Sequence, residues 1–334
     1  MATGRPRSGE LLGRTRLVVD AHGQGWREVA KLDQISELLA DHANLLWLDV
    51  TDPGPADLDL LRREFGFHEL AIEDVARAHQ RPKCDTYHDY YFIVVYAATR
   101  SADRFAPTEL QIFWGERYVV TVHRGALPQL DDALTRWTAH QQGRLDGVAF
   151  LVYTLLDTVV DGYFPLMDWV AEQVDDIEEV IFARADNSVL SDLFQLRKEL
   201  LRMRRLLAPT RDVLNEIIRR DLPLFPPTMH PYFADVYDHA LRVLDGLDVY
   251  RDLLSSALDL HLSAVSNRLN QLVKRMTALT LIVMAPTLVA GIYGMNFKTP
   301  WPSYDSDWGF AYSMALMAAL ILGGIYLAHR ADWL

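Results

Sequence analysis

The sequence predicts an α+β membrane protein with three parts: a cytoplasmic α/β domain over residues 1–144, a helical stalk region over 145–275 and a transmembrane hairpin over 276–334. Three observations carry this expectation. Up to about residue 144, short runs rich in β-branched and aromatic residues alternate with helical patterns. Beyond Gly147 the strand signals stop, and apolar residues return at steps of three and four. Near the C-terminus, segments 276–293 and 310–327 each run for 18 residues without a charge, against roughly 20 needed to cross a bilayer core.

In the first part, residues 1–14 read as a flexible tail; they are basic but lack the apolar core of a secretory signal. RLVVDAH at 16–22, LLWLDV at 45–50, YYFIVVYAAT at 90–99, LQIFW at 110–114 and YVVTVH at 118–123 predict strands. ADLDLLRREF after Pro55 and ELAIEDVARAH predict helices. In the second part, segments 148–183 and 188–220 predict two long helices separated by ADNS, and a proline-rich break follows at 222–231. From Pro231 to Tyr293 one continuous helix is expected, roughly 90 Å long at about 1.5 Å per residue. A helix of that length without internal caps suggests a coiled coil, a membrane span, or both in sequence.

The two uncharged segments have membrane-type flanks. Trp308 and Tyr312 stand at one edge, Tyr326 and Trp333 at the other, where aromatic belts form. Lys274 and Arg275 precede the first span and Arg330 follows the second, whereas the connection carries Lys298 against Asp305 and Asp307. Positive-inside bias therefore places both termini in the cytoplasm. The competing reading is two buried helices of a soluble core. A net charge of -12 argues against nucleic acid as a partner and suits a handler of cations. The single cysteine, Cys84, excludes an intrachain disulfide.

Along the first span, Asn270, Val273, Thr277, Thr280, Met284, Thr287, Gly291 and Gly294 recur at alternating steps of three and four, a polar and small-residue seam on an oily helix. Two readings are open. The threonines bond back to their own helix while the glycines admit a neighbour, or the seam faces water. Asn270 and Asn296 at the two ends favour water. One hairpin cannot enclose a pore, so a channel must be a homo-oligomer with the first helices around its axis. Ala315, Ala319 and Gly323 form a stripe by which the second span can brace the first.

YGMNF at the end of the first span, FGFHELAIEDVARAHQRPKCDTYHDYYFIVV at 65–95 and YFADVYDH at 232–239 resemble the CorA family of magnesium transporters, in which Gly-Met-Asn is the signature. The resemblance covers the chain from about residue 45 onward. It implies a funnel-shaped homopentamer in a bacterial-type inner membrane. It further implies inward movement of Mg2+, with Co2+ and Ni2+ as further candidate cargoes. Gly294, Met295 and Asn296 match the selectivity filter, Asn270 a second polar ring, Val273, Met276 and Met284 a hydrophobic constriction, and Thr287 a pore threonine. Mg2+ gives up its water reluctantly, so a ring of neutral amide oxygens at Asn296 suits a hydrated ion better than carboxylates would. Asp74 and Asp235 match residues that face each other across a subunit interface and hold a regulatory Mg2+, with Glu73 and Asp238 adding outer-shell contacts.

Two features depart from the family. The C-terminus AHRADWL lacks a lysine run, and Lys298 stands where relatives often carry an acid. Asp235, Asp238 and His239 on one helical turn also offer a transition-metal reading that lacks a second histidine. The alternatives are a zinc transporter of the same superfamily and a membrane-anchored sensor. The sequence shows no phosphate-cradling loop, nucleophile elbow or zinc-protease motif to suggest an enzyme.

Overall fold

The computed structural model describes residues 15–21, 25–29, 31–101, 104–139, 147–183, 188–219, 224–295, 301–302 and 308–333. The expected tail, the ADNS turn up to Ser188, most of the Gly-Met-Asn loop including Asn296 and Lys298, and Asp305 and Asp307 lie outside them, and Ser188 opens the helix that follows. The described strands are β1 (Thr15–Ala21), β2 (Trp26–Val29), β3 (Asn44–Thr51), β4 (Lys83–Thr86), β5 (Tyr90–Ser101), β6 (Arg104–Gly115) and β7 (Tyr118–His123). The helices are α1 (Ile35–Ala40), α2 (Pro55–Phe65), α3 (Glu69–Arg77), α4 (Pro128–Ala139), α5 (Gly147–Asp161), α6 (Phe164–Ala183), α7 (Ser188–Arg219), α8 (His230–Tyr293) and α9 (Gly309–Arg330).

The chain divides into two compact units, Met1–Glu178 with Leu190–Ser255, and Glu179–Val189 with Ser256–Leu334. In the first unit seven strands form one sheet in the order β2-β1-β3-β7-β6-β5-β4. Among the described strand pairs, only β3–β7, with Leu46 opposite Tyr118 and Val50 opposite Val122, is parallel. All five expected strands are present. The two that sequence reading missed, β2 and β4, are four-residue edges of the sheet. An edge strand packs little, so it needs no apolar run, and WREV and KCDT carry none.

Helices cover both faces of the sheet. On one, Leu46, Leu48, Val50, Phe92, Val94 and Phe113 pack with Ile35 of α1, Leu61 of α2 and Ala71, Ile72 and Val75 of α3. On the other, Trp47 meets Trp137 of α4 at 6.0 Å, and Trp114 stacks on Phe233 of α8 at 6.0 Å. Two covered faces explain why β5 reads YYFIVVYAA, with nine consecutive buried residues, and does not alternate.

The single helix expected over 148–183 is two, α5 and α6, broken at Gly162. A Cβ on Gly162 would lie 3.2 Å from the Ala98 carbonyl oxygen, so the chain passes tightly over β5 there. Tyr163 anchors the break by donating its hydroxyl to the Tyr96 carbonyl at 3.1 Å. Pro165, which has no N–H to give, opens α6. The long helix expected after the proline-rich break is α8, which runs through Pro286 without interruption.

Candidate functional site

In the second unit the membrane-type segments show their faces. Only 6% of the apolar window of α8, and 6% of that of α9, is buried inside the protein, against 72% for the less apolar stretch Gly147–Ile181. That contrast separates α8 and α9 from the core helices of this chain, and both have the length and apolarity to cross a membrane. Towards α9, α8 turns the buried Ala278 and the half-buried Ile282, Ala285 and Val289. Gly324 of α9 lies against Ile282, where a Cβ would come within 3.1 Å of Cγ1. The bracing contact therefore centres on Gly324, with Ser313 and Ala328 the buried positions of α9. The expected stripe is displaced from it: Ala315 is exposed, while Ala319 and Gly323 line an apolar cleft of about 480 Å³ between the two helices.

The seam lies elsewhere on α8. Asn270, Val273, Met276, Thr277, Thr280, Met284, Thr287, Gly291, Gly294 and Met295 are all exposed in the single chain. Thr277, Thr280 and Thr287 donate to the carbonyls four residues back, Val273, Met276 and Val283, at 2.7–2.8 Å. Their protons are thus spent within the helix, and each hydroxyl oxygen still offers a lone pair outward. At the end of α8 the Gly294 N–H reaches the Ala290 carbonyl at 2.9 Å and the Met295 N–H reaches that of Ile292 at 3.2 Å. Gly294 is not left-handed; a Cβ there would meet the Ala290 carbonyl oxygen at 3.2 Å, so a close approach is what favours glycine. Trp301, Trp308 and Tyr312 form a three-ring cluster with centroids 5.6–6.3 Å apart, where an aromatic belt is expected.

Among the described residues of the first unit, Asp74 and Asp235 each stand in a cluster of acidic residues. In the first, Asp74 on the last turn of α3 accepts from the Lys83 ammonium of β4 at 2.8 Å, and Asp85 accepts from the same nitrogen at 2.5 Å. Burial draws the Lys83 pKa down, but the hydrogen bonds to Asp74 and Asp85 outweigh it and hold the group above an ordinary lysine. The ammonium is therefore charged throughout the physiological range. Gln111 donates to the Asp74 main-chain carbonyl at 3.3 Å and to Glu109 at 2.7 Å. Glu109 also accepts from the main-chain N–H groups of His79 and Gln80, which pins the chain leaving α3. Glu73 is paired with Arg77, one turn on, at 2.6 Å.

The second cluster joins α5 to α8. One ligand atom each from Asp157, Asp161 and His239 lies within 4.8 Å of the others, a set that could hold a metal ion. His239 Nδ1 is 3.0 Å from Asp161, and its Nε2 is 3.8 Å from the exposed Asp235. Arg136 of α4 donates to Asp157 at 2.6 Å. The cluster opens on a cleft of about 900 Å³ whose walls include Arg136, Thr158 and Asp161. Among the described residues, Asp74 and Asp235 thus belong to separate clusters of one chain, and Asp238 is exposed.

Burial pushes the Asp157 carboxyl above the usual carboxylate range, and Asp161 adds to this, although Arg136 pulls it down. A carboxyl raised on folding adds stability below its unfolded pKa and loses it as pH rises through the folded value. Ionised Asp157 therefore costs stability at neutral pH, a cost that a bound cation would offset. Two carboxylates and an imidazole suit Co2+ or Ni2+ better than they suit Mg2+, which takes oxygen donors. If the set takes up Co2+, His239→Ala is expected to weaken that binding by roughly tenfold or more, a loss read in the visible absorption of Co2+.

Sequence reading grouped His239 with Asp235 and Asp238 because they share a helical turn; the structure sets His239 instead with two carboxylates from α5, Asp157 and Asp161, and leaves Asp235 as a 3.8 Å neighbour of its Nε2. Asp157 and Asp161, four residues apart in LLDTVVDG, were a legible signal that their apolar surroundings masked.

A sequence model of the family described as CorA-like Mg2+ transporter protein matches residues 42–330. The chain is 34% identical over 285 residues to YfjQ of Bacillus subtilis, a candidate metal ion transporter, across 85% of this chain and 88% of that one. It is 30% identical over 317 residues to the cobalt/magnesium transport protein CorA of Thermotoga maritima, across 92% of this chain and 89% of that one. The fold is similar to that of the complete CorA magnesium transporter from Methanocaldococcus jannaschii, with a TM-score of 0.82, 24% identity and coverage of 95% of this chain and 98% of that one.

Proposed function

The chain belongs to the CorA-like Mg2+ transporter family, and from that premise we propose that it is a passive channel carrying Mg2+ into the cytoplasm, driven by the membrane potential. Co2+ is a further cargo, in keeping with the name of the Thermotoga maritima relative, and Ni2+ is the natural third. Five copies assemble with α8 around a common axis, both termini on the cytoplasmic side. Gly294, Met295 and Asn296 form the filter; Asn270, Val273, Met276, Thr277, Thr280, Met284, Thr287 and Gly291 line the path. Mg2+ is cargo and regulator here, with Asp74 of one subunit and Asp235 of its neighbour as the regulatory ligands and Glu73 and Asp238 in the outer shell.

The observation that supports this reading most directly is the position of the seam. α9 covers α8 through Ala278 and Ile282, and the polar seam is left exposed. An exposed row of hydroxyls, amides and glycines suits contact with water or with symmetry mates, whereas hydrocarbon would leave its acceptors unmet. Two carboxylates facing each other repel when empty and attract when a divalent ion lies between them. Occupancy can therefore favour a closed arrangement over a conducting one.

The test is competitive flux in proteoliposomes. Mg2+ uptake that follows the membrane potential and is independent of a pH gradient is expected. Zinc uptake that requires a pH gradient would transfer the chain to the zinc-transporting branch.

A further inference from the structure

We propose that Lys83 is a resident competitor for the cation at Asp74: its ammonium holds the place that a divalent ion would take, and Asp85 is where it goes when displaced. This rests on the reading of Asp74 as a regulatory ligand and says what sets the concentration to which that ligand responds.

The geometry is a three-body cluster. The Lys83 ammonium lies 2.8 Å from Asp74 and 2.5 Å from Asp85, and 5.4 Å from the centre of the Phe92 ring. Its side chain is about one-third exposed, as are its partners to comparable degrees. Two carboxylates and one ammonium leave a single net negative charge, so Asp74 is already largely neutralised before any ion arrives. A divalent ion approaching Asp74 must either accept a like charge within contact distance or push the ammonium aside.

Pushing it aside is feasible because Lys83 has a second partner. The lysine stem is flexible, and Asp85, two residues along the edge strand β4, already shares the nitrogen. Displacement therefore exchanges one of two ion pairs for a metal contact and leaves the ammonium paired. Asp74 itself does not move with the exchange, since Gln111 and the Glu109-pinned turn hold the end of α3. The charged state of Lys83 is constant, so the competition is set by ion concentration.

Two variants should shift the response in opposite directions. Lys83→Met removes the competitor and leaves two carboxylates, which should lower the Mg2+ concentration at half-response by about tenfold. Asp85→Asn removes the alternative partner, ties the ammonium to Asp74, and should raise that concentration several-fold. Lys83→Arg keeps the charge and should stay near the parent.

The experiment titrates MgCl2 into the purified full-length protein in lipid nanodiscs and follows the rise in melting temperature, with Asp74→Asn in parallel. Opposite shifts in Lys83→Met and Asp85→Asn are the expected result. Parental midpoints in both, with the response lost in Asp74→Asn, would overturn the role of Lys83 and leave the gate reading standing. A parental response in Asp74→Asn would remove both. Should Lys83→Met fail to assemble, the sign of the Asp85→Asn shift decides alone, since that residue lies on an exposed sheet edge.

Discussion

Asn296→Ala is expected to abolish Mg2+ flux, by two orders of magnitude or more, while leaving expression and oligomer size unchanged. A hydrated Mg2+ keeps its inner water shell, and the protein can recognise it only through acceptors for those waters. A hydrogen bond to a charged partner is worth about 1.5–3 kcal/mol, and in a ring each subunit loses one. Even one or two such losses correspond to a factor of ten to a hundred or more in occupancy. Asn296→Asp should fail differently: a ring of carboxylates binds the ion tightly and releases it slowly, so affinity rises while throughput falls. The measurement is fluorescent-indicator uptake in proteoliposomes alongside size-exclusion profiles. Unchanged uptake in Asn296→Ala would return the hairpin to the status of an anchor for a cytoplasmic sensor.

The double change Asp74→Asn and Asp235→Asn is expected to release the channel from inhibition by cytoplasmic Mg2+. The concentration for half-inhibition should rise by at least tenfold, with maximal flux unchanged. The carboxylates contribute through charge, and the amides keep their shape while removing it, so folding should be little affected. Asp235 is well exposed, and the substitution weakens a 3.8 Å approach to His239 that solvent already screens. At Asp74 the substitution also loosens Lys83, which retains Asp85. Patch recording with Mg2+ varied on the cytoplasmic side reads the effect; inhibition persisting at the parental concentration would take both residues out of the gate.

How much was legible differed from element to element. The buried strands announced themselves because both faces of the sheet are covered, and continuous apolar runs such as YYFIVVYAA follow from that burial. The edges β2 and β4 did not, since a short strand with one neighbour needs no such run. α5 and α6 read as one helix because their periodicity continues across the break. The interruption depends on how closely Gly162 passes the Ala98 carbonyl, a contact between residues 64 apart in sequence.

The same division runs through the candidate site. By itself the sequence determined which helices have the length and apolarity to enter a membrane, where the Gly-Met-Asn loop falls, and which face of α8 is polar, because length, charge and helical period are local properties of the chain. The tertiary structure decided what each acidic residue meets. Asp74 finds Lys83 from a neighbouring edge strand, and His239 finds Asp157 and Asp161 from a helix about eighty residues earlier. A charge interacts through space with whatever the fold brings near, and no pattern along one helix carries that information.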